Sequence, residues 1–201
     1  MHNQLAPIPD SPPVPLYDGL RATADEYLAL ADDDFRYELI DGVILMSPSP
    51  LPLHQRVAFE IAYQLEAFLR QRPIGMVVPE VDVKLSDKLV YRPELVFVRQ
   101  DNLKRIAPRI TFTPDVVVEV ISPASRGRDT RTKFDDYQRV GVAEYWLIDP
   151  QNEATTFYRL EGDRYVDASP PAGQEAFESR AVEGFSLDLV ALRRAFHAFG
   201  S

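Results

Sequence analysis

Glu119 stands inside the most apolar run of the chain, Asp115-Val-Val-Val-Glu-Val-Ile121. An ionised carboxylate is costly in such a run unless a metal, a cation or a proton offsets it. Ser122-Pro123 follows at once, then a basic loop with Arg126 and Arg128, then a short amphipathic segment carrying Asp129, Lys133 and Tyr137. An acid on a buried strand with a lysine on the next element is the minimal set for a metal-dependent phosphodiesterase. The equal alternative is a structural ion pair between Glu119 and a nearby Arg or Lys.

Asp115 and Glu119 cannot share one cation. Four residues of strand span about 13 Å, whereas two oxygens on one ion lie within a few ångströms of each other. A second ligand must come from a neighbouring strand, and Glu94 is the candidate, following Pro93 in Tyr91-Arg-Pro-Glu-Leu-Val-Phe-Val98. Its other reading is an exposed edge-strand acid beside a proline. The chain has no cysteine, which excludes disulfide frameworks, zinc-thiolate sites and thiol nucleophiles, so any metal falls to oxygen or histidine ligands.

A formal net charge of −9 argues against a protein that coats nucleic acid by bulk electrostatics. It does not exclude a nuclease, whose site acids are offset by the cation they bind. Positive charge is also gathered locally, at Arg126, Arg128, Arg131 and Lys133 and again at Arg99, Lys104, Arg105 and Arg109. Substrate contact and a plain solvated surface are both open for these clusters. No apolar run approaches the roughly 20 residues of a membrane span, and the N-terminus lacks a basic-then-apolar leader. A soluble, cytoplasmic protein is expected.

The elements that must position these groups are legible in outline. At 201 residues the chain suits one α/β or α+β domain, preceded over residues 1–19 by a proline-rich arm outside the core. Thr23-Ala-Asp-Glu26 is a capping box opening a short helix to about Ala31. Strands at 35–40 and 43–46 flank an Asp41-Gly42 turn, and Leu53–Gln71 carries a helical apolar stripe. Strands are expected at 76–85, 90–98 and 115–121, then a helix over Asp129–Val140 closed by Gly141. Further strands at 144–149, 154–160 and 164–167, a weak one at 175–179 and a helix at 188–199 complete the chain. The unit from Asp115 to Asp149 is long enough for a crossover, which makes its two strands parallel neighbours.

In order, Tyr37-Glu-Leu-Ile-Asp-Gly42, Ser47-Pro48 with His54-Gln55, Arg92-Pro-Glu-Leu-Val-Phe97, Pro114 to Pro123, Asp129 through Lys133 to Tyr137, and Gly141-Val-Ala-Glu-Tyr-Trp-Leu-Ile-Asp-Pro150 resemble the Uma family. These are restriction-endonuclease-like proteins of the PD-(D/E)XK nuclease superfamily. The resemblance covers about Thr23 to Arg159 and implies a mixed central β-sheet flanked by helices, with acids holding magnesium or manganese at the strand ends. Glu119 matches the second-strand acid. Ile121 stands where the superfamily usually has its lysine, so Lys133 on the next helix corresponds to a migrated lysine. Glu94 matches the first-strand acid, where the family usually has aspartate.

The resemblance further implies catalytic roles for Glu94, Glu119 and Lys133, and metal ligation by Glu94, Glu119 and, through water, Glu38. His54 either touches substrate or simply opens a helix. Arg126 and Arg128 are expected to bind substrate. Asp129 either orients Lys133 or forms a surface ion pair; Tyr137 is expected to pack, and Asp41 to serve a turn. The implied activity is metal-dependent hydrolysis of phosphodiester bonds, with DNA favoured over RNA and a homodimer as the assembly. The competing class is a nuclease fold kept for binding or assembly without catalysis.

Overall fold

The computed structural model describes residues 14–47, 49–123 and 125–199. Helix α1 (Ala24–Leu28) opens on the expected capping box, with Thr23 and Glu26 exchanging hydrogen bonds. Strands β1 (Arg36–Ile40) and β2 (Val43–Ser47) form a hairpin. Asp41 and Gly42 both lie at positive φ, 52° and 73°, the pair that a two-residue turn matched to strand twist demands. The long helix α2 (Pro52–Gln71) begins with proline at its first position, where the missing N–H costs nothing.

The next expected strand, 76–85, is two strands: β3 (Gly75–Pro79) and β4 (Val83–Ser86). Glu80 between them has φ 46°, a turn conformation that no continuous strand holds. The strand expected over 90–98 is likewise divided into β5 (Leu89–Tyr91) and β6 (Leu95–Arg99). Pro93 has no N–H to give a ladder, and the chain uses that break to change sheets. β5 and β4 join the hairpin in a four-stranded sheet of order β2-β1-β5-β4.

β6 instead enters a six-stranded sheet together with β3, β7 (Val116–Val120), β8 (Glu144–Asp149), β9 (Ala154–Glu161) and β10 (Arg164–Asp167), in the order β10-β9-β8-β7-β6-β3. β7 and β8 are parallel, as expected, joined through α3 (Lys133–Val140). That helix is preceded by a π-helical turn, Arg128–Thr132, so the helix expected from Asp129 starts wide. Gly141 ends it at φ 84°. A small hairpin, β11 (Ala176–Glu178) and β12 (Ser186–Asp188), and α4 (Leu189–Phe196) follow; β12 is the strand that periodicity does not reveal in three residues.

Alternation along β7 assigns its faces. Val116, Val118 and Val120 pack with α2, α4, Trp146 and Phe157 in one core, while Val117 and Ile121 share a second core with Tyr91, Tyr137 and Tyr145. With a period of two, Glu119 must point to the second face, under α3. Being covered on both sides, β7 and β8 read as nearly continuous apolar runs.

Buried Glu144 ties the last segment to this sheet: it accepts from Trp146 Nε1, Arg159 Nε, Ser179 Oγ and the backbone N–H groups of Arg180 and Ala181. Of the segment read as an arm, residues 1–13 lie outside the described residues. Beyond them, Gly19 N–H donates to the Ile44 carbonyl, and the Tyr17 ring meets Tyr37 edge-on at 5.6 Å.

Candidate active site

A cleft of about 260 Å³ opens where the two sheets diverge, lined by Glu38, His54, Arg92, Glu94, Glu119, Arg128, Asp129 and Lys133 among others. β1 supplies Glu38 and the N-terminal turn of α2 supplies His54. The Pro93 break leaves Glu94 at the start of β6, beside the end of β7 that carries Glu119. Ser122 and Ser125, hydrogen-bonded to each other, turn the chain into the π-helical turn that presents Asp129, with Lys133 one wide turn on. Wide turns of this kind recur at functional sites.

Lys133 is 4 % exposed and faces three acids. Its Nζ lies 2.8 Å from Glu119 Oε1, 2.9 Å from Glu38 Oε1 and 3.7 Å from Asp129 Oδ1. Tyr137 donates to the same Glu119 oxygen at 2.7 Å. Glu38 Oε2 accepts from Arg128 at 3.1 Å, and Glu38 Oε1 from the Arg92 N–H at 3.2 Å. Glu94 accepts from the Val120 N–H through Oε2 at 2.7 Å and meets His54 Nε2 through Oε1 at 3.2 Å.

Charge balance explains the protonation preferences. Burial pushes the Glu119 carboxyl well above the usual range; Lys133 opposes that rise, and Glu94, Asp129 and Glu38 reinforce it. Burial also raises Asp129, against Lys133 and the Ser125 hydroxyl and with Glu94 and Glu38. Burial would lower Lys133, but Glu119, Glu38, Asp129 and Glu94 outweigh it and hold the ammonium charged. Glu94 goes the other way: burial works against its charge, and His54, Lys133 and the Val120 N–H overcome it. Glu38, Glu94, Glu119 and Asp129 thus face Lys133, Arg92, Arg128 and His54 across the cleft, and burial most disfavours the ionised forms of Glu119 and Asp129.

The structure brings Glu38, Glu94, Glu119, Lys133, His54 and Arg128 into one cleft. Arg126 stands apart, forked onto Asp149 at 2.6 and 3.0 Å. Asp115 pairs with Arg99, in keeping with its rejection as a ligand. Asp129 is buried in the cleft, not on the surface, and Tyr137 does more than pack. The i,i+4 spacing of Asp129, Lys133 and Tyr137 was the signal for all three; what it lacked was the face on which they fall.

Among the described residues no three Asp, Glu or His side chains form a ready cage for a metal. Magnesium does not need one, since it keeps several waters and takes one or two carboxylates. Asp129 Oδ1 is buried with no hydrogen-bond partner, the donor set is hard oxygen, and a cation there would favour the ionised Glu119 and Asp129 that burial disfavours. These residues fit a divalent cation.

The family Uma2, described as "Putative restriction endonuclease", matches residues 24–190. The chain belongs to this family. The Uma2 domain thus spans the sheets, the cleft and α1 through the start of α4. A solved structure from Anabaena variabilis ATCC 29413, titled a putative nuclease belonging to DUF820, superposes with a TM-score of 0.74 at 20 % identity. The likeness covers 87 % of this chain and 98 % of that one, and shows the same mixed α+β fold. No curated protein matches this Uma2 chain. No helix among its described residues is long and apolar enough to cross a membrane.

Proposed function

We propose that this Uma2 chain is a metal-dependent endonuclease that hydrolyses phosphodiester bonds in DNA. One observation carries the reading: a buried Asp129 oxygen without a hydrogen bond lies in a cleft lined also by Glu94 and Glu119. Glu94 and Glu119, with Asp129 or Glu38 through water, would hold magnesium or manganese, which supplies polarisation of a phosphoryl oxygen and a more acidic water. Lys133, held by Glu38 and Glu119 beside the cleft, offsets charge on a phosphate entering it. Arg128, fixed by Glu38 at the rim, gives a second cationic contact. His54 acts through Glu94, whose carboxylate it aligns. A homodimer, tested by sedimentation velocity, and a cytoplasmic location belong to the same reading.

A second reading, a nuclease fold without catalysis, is favoured by Glu94 itself. Both of its oxygens already hold protein donors, and the longer side chain stands where the family usually has aspartate. Incubating plasmid and oligonucleotide DNA with millimolar magnesium or manganese separates the two. Cleavage by the parent, lost together with metal-induced thermal stabilisation in Glu119→Gln, supports the enzyme. A parent that binds no metal by calorimetry leaves the non-catalytic reading.

A further inference from the structure

A second cavity, of about 250 Å³, lies behind the wall formed by Tyr37 and Arg92, which line it and the carboxylate cleft alike. Its volume falls just under the roughly 300–1,000 Å³ of ordinary ligand sites, room for one small planar group. The apolar part is built from half-buried Tyr17 and Phe35, both stacked edge-on or tilted against Tyr37, with Leu28 and Leu30. The polar part is cationic at one end. Asp82 holds Arg92 by Nε at 2.8 Å and Arg109 by Nε at 3.7 Å. Among the described residues no protein acceptor takes the terminal Nη atoms of either guanidinium in a hydrogen bond.

Asp33 is committed, accepting from Tyr37 Oη at 2.6 Å and from the Leu16 and Phe35 N–H groups at 3.1 and 3.2 Å. Exposed Asp32 gives one oxygen to the Asp34 N–H and leaves the other as an acceptor at the cavity.

We propose that this cavity receives the base of an unpaired nucleotide next to the phosphate in the carboxylate cleft. The inference rests on the nuclease reading and narrows its substrate to single-stranded or frayed DNA. Tyr17 and Phe35 give the base an aromatic wall, as proteins that hold single strands do. The free Nη atoms of Arg92 and Arg109 suit the linking phosphate, since the guanidinium fork matches phosphate oxygens. Asp32 favours bases with an exocyclic amino donor, adenine, cytosine and guanine, over thymine, which has none. A duplex cannot enter without unpairing, because only a base turned out of its stack reaches a pocket of this depth.

The test is fluorescence anisotropy of the full chain with labelled (dA)12, (dT)12 and a blunt duplex, in calcium or magnesium. The inference requires that (dA)12 bind more tightly than (dT)12. Tyr17→Ala should weaken (dA)12 binding about 5- to 150-fold, the span of one lost base stack. Arg109→Ala, a change at a half-exposed side chain, should weaken both single strands at least threefold. Neither residue lines the carboxylate cleft, so both variants should keep the parent's metal affinity by calorimetry. Tyr17→Phe, which keeps the ring, should bind as the parent does and guards against a folding effect of Tyr17→Ala. If the parent binds and cleaves DNA while Tyr17→Ala and Arg109→Ala bind single strands as it does, the inference is overturned and the nuclease reading stands. If the parent binds no nucleic acid at all, both fall.

Discussion

Lys133 is one ammonium set against three carboxylates, and its neighbours decide what removing it does. In Lys133→Met the aliphatic stem remains, but Glu38 and Glu119 lose the cation that makes their burial tolerable. Breaking a buried pair in this way costs about 3–5 kcal/mol, so the chelated variant should melt well below the parent in a urea titration. Magnesium should restore part of that loss while DNA cleavage stays about 10²- to 10⁴-fold down. A deficit that metal leaves unmoved would remove the ion from the cleft. Tyr137→Phe is the milder probe. It deletes one donor to Glu119 without opening space, for a loss of about 1–2 kcal/mol read as a shift in the denaturant midpoint. Glu119 was legible because a lone acid in an apolar run needs a proton, a cation or a metal beside it, and Lys133 stands there. Tyr137 was not, because an apolar face and a hydrogen-bonding face of a helix look alike when the hydroxyl's partner lies on a strand, here β7.

Elements supply the register that single residues cannot. The end of β8 is tied to the loop after β7 by the Arg126 fork on Asp149, which also accepts from Asn152. Burial would raise the Asp149 carboxyl, and Arg126 and Asn152 overcome it to leave it lowered. A lowered folded pKa means stability that is present above the unfolded value near 4 and is lost as pH falls through the folded one. Asp149→Asn should therefore cost about 2 kcal/mol at pH 7 and progressively less below about pH 4, as measured by paired urea melts. A deficit constant with pH would mean that shape, not charge, holds this corner. The crossover, the capping box and the Asp41-Gly42 hairpin were all readable because each rests on local chemistry. Where β3 passes to β4 and β5 to β6, alternation runs on through the break; only the backbone angle of Glu80 and the missing donor of Pro93 divide it. That hidden division sets Glu94 at a strand end, beside Glu119.

At the scale of the whole molecule, a net charge of −9 leaves few phosphate contacts available, with Arg36, Arg92, Arg109, Arg128 and Lys133 the cations that line the two cavities. Two to four neutralised phosphates on a single strand give a slope of log K against log salt of roughly −1.4 to −2.8. A titration between 50 and 300 mM salt in saturating metal should fall in that range; a slope near −6 would require a basic surface outside the cleft. The wiring of Glu144 bears on how the chain is made. Its acceptors are filled by Ser179, Arg180 and Ala181, which lie 35, 36 and 37 residues later. At a synthesis rate of about 5–20 residues per second, roughly 2–7 s pass between the two being polymerised. For that interval Glu144 has only Trp146 Nε1 and, 15 residues on, Arg159 Nε as donors, so its burial is complete only when the last segment arrives. A chain truncated near residue 170 should thus expose Val116, Val118, Val120, Trp146 and Ile148, the face that Phe177, Val182, Phe185 and Leu187 cover, and bind an apolar dye that the longer chain excludes.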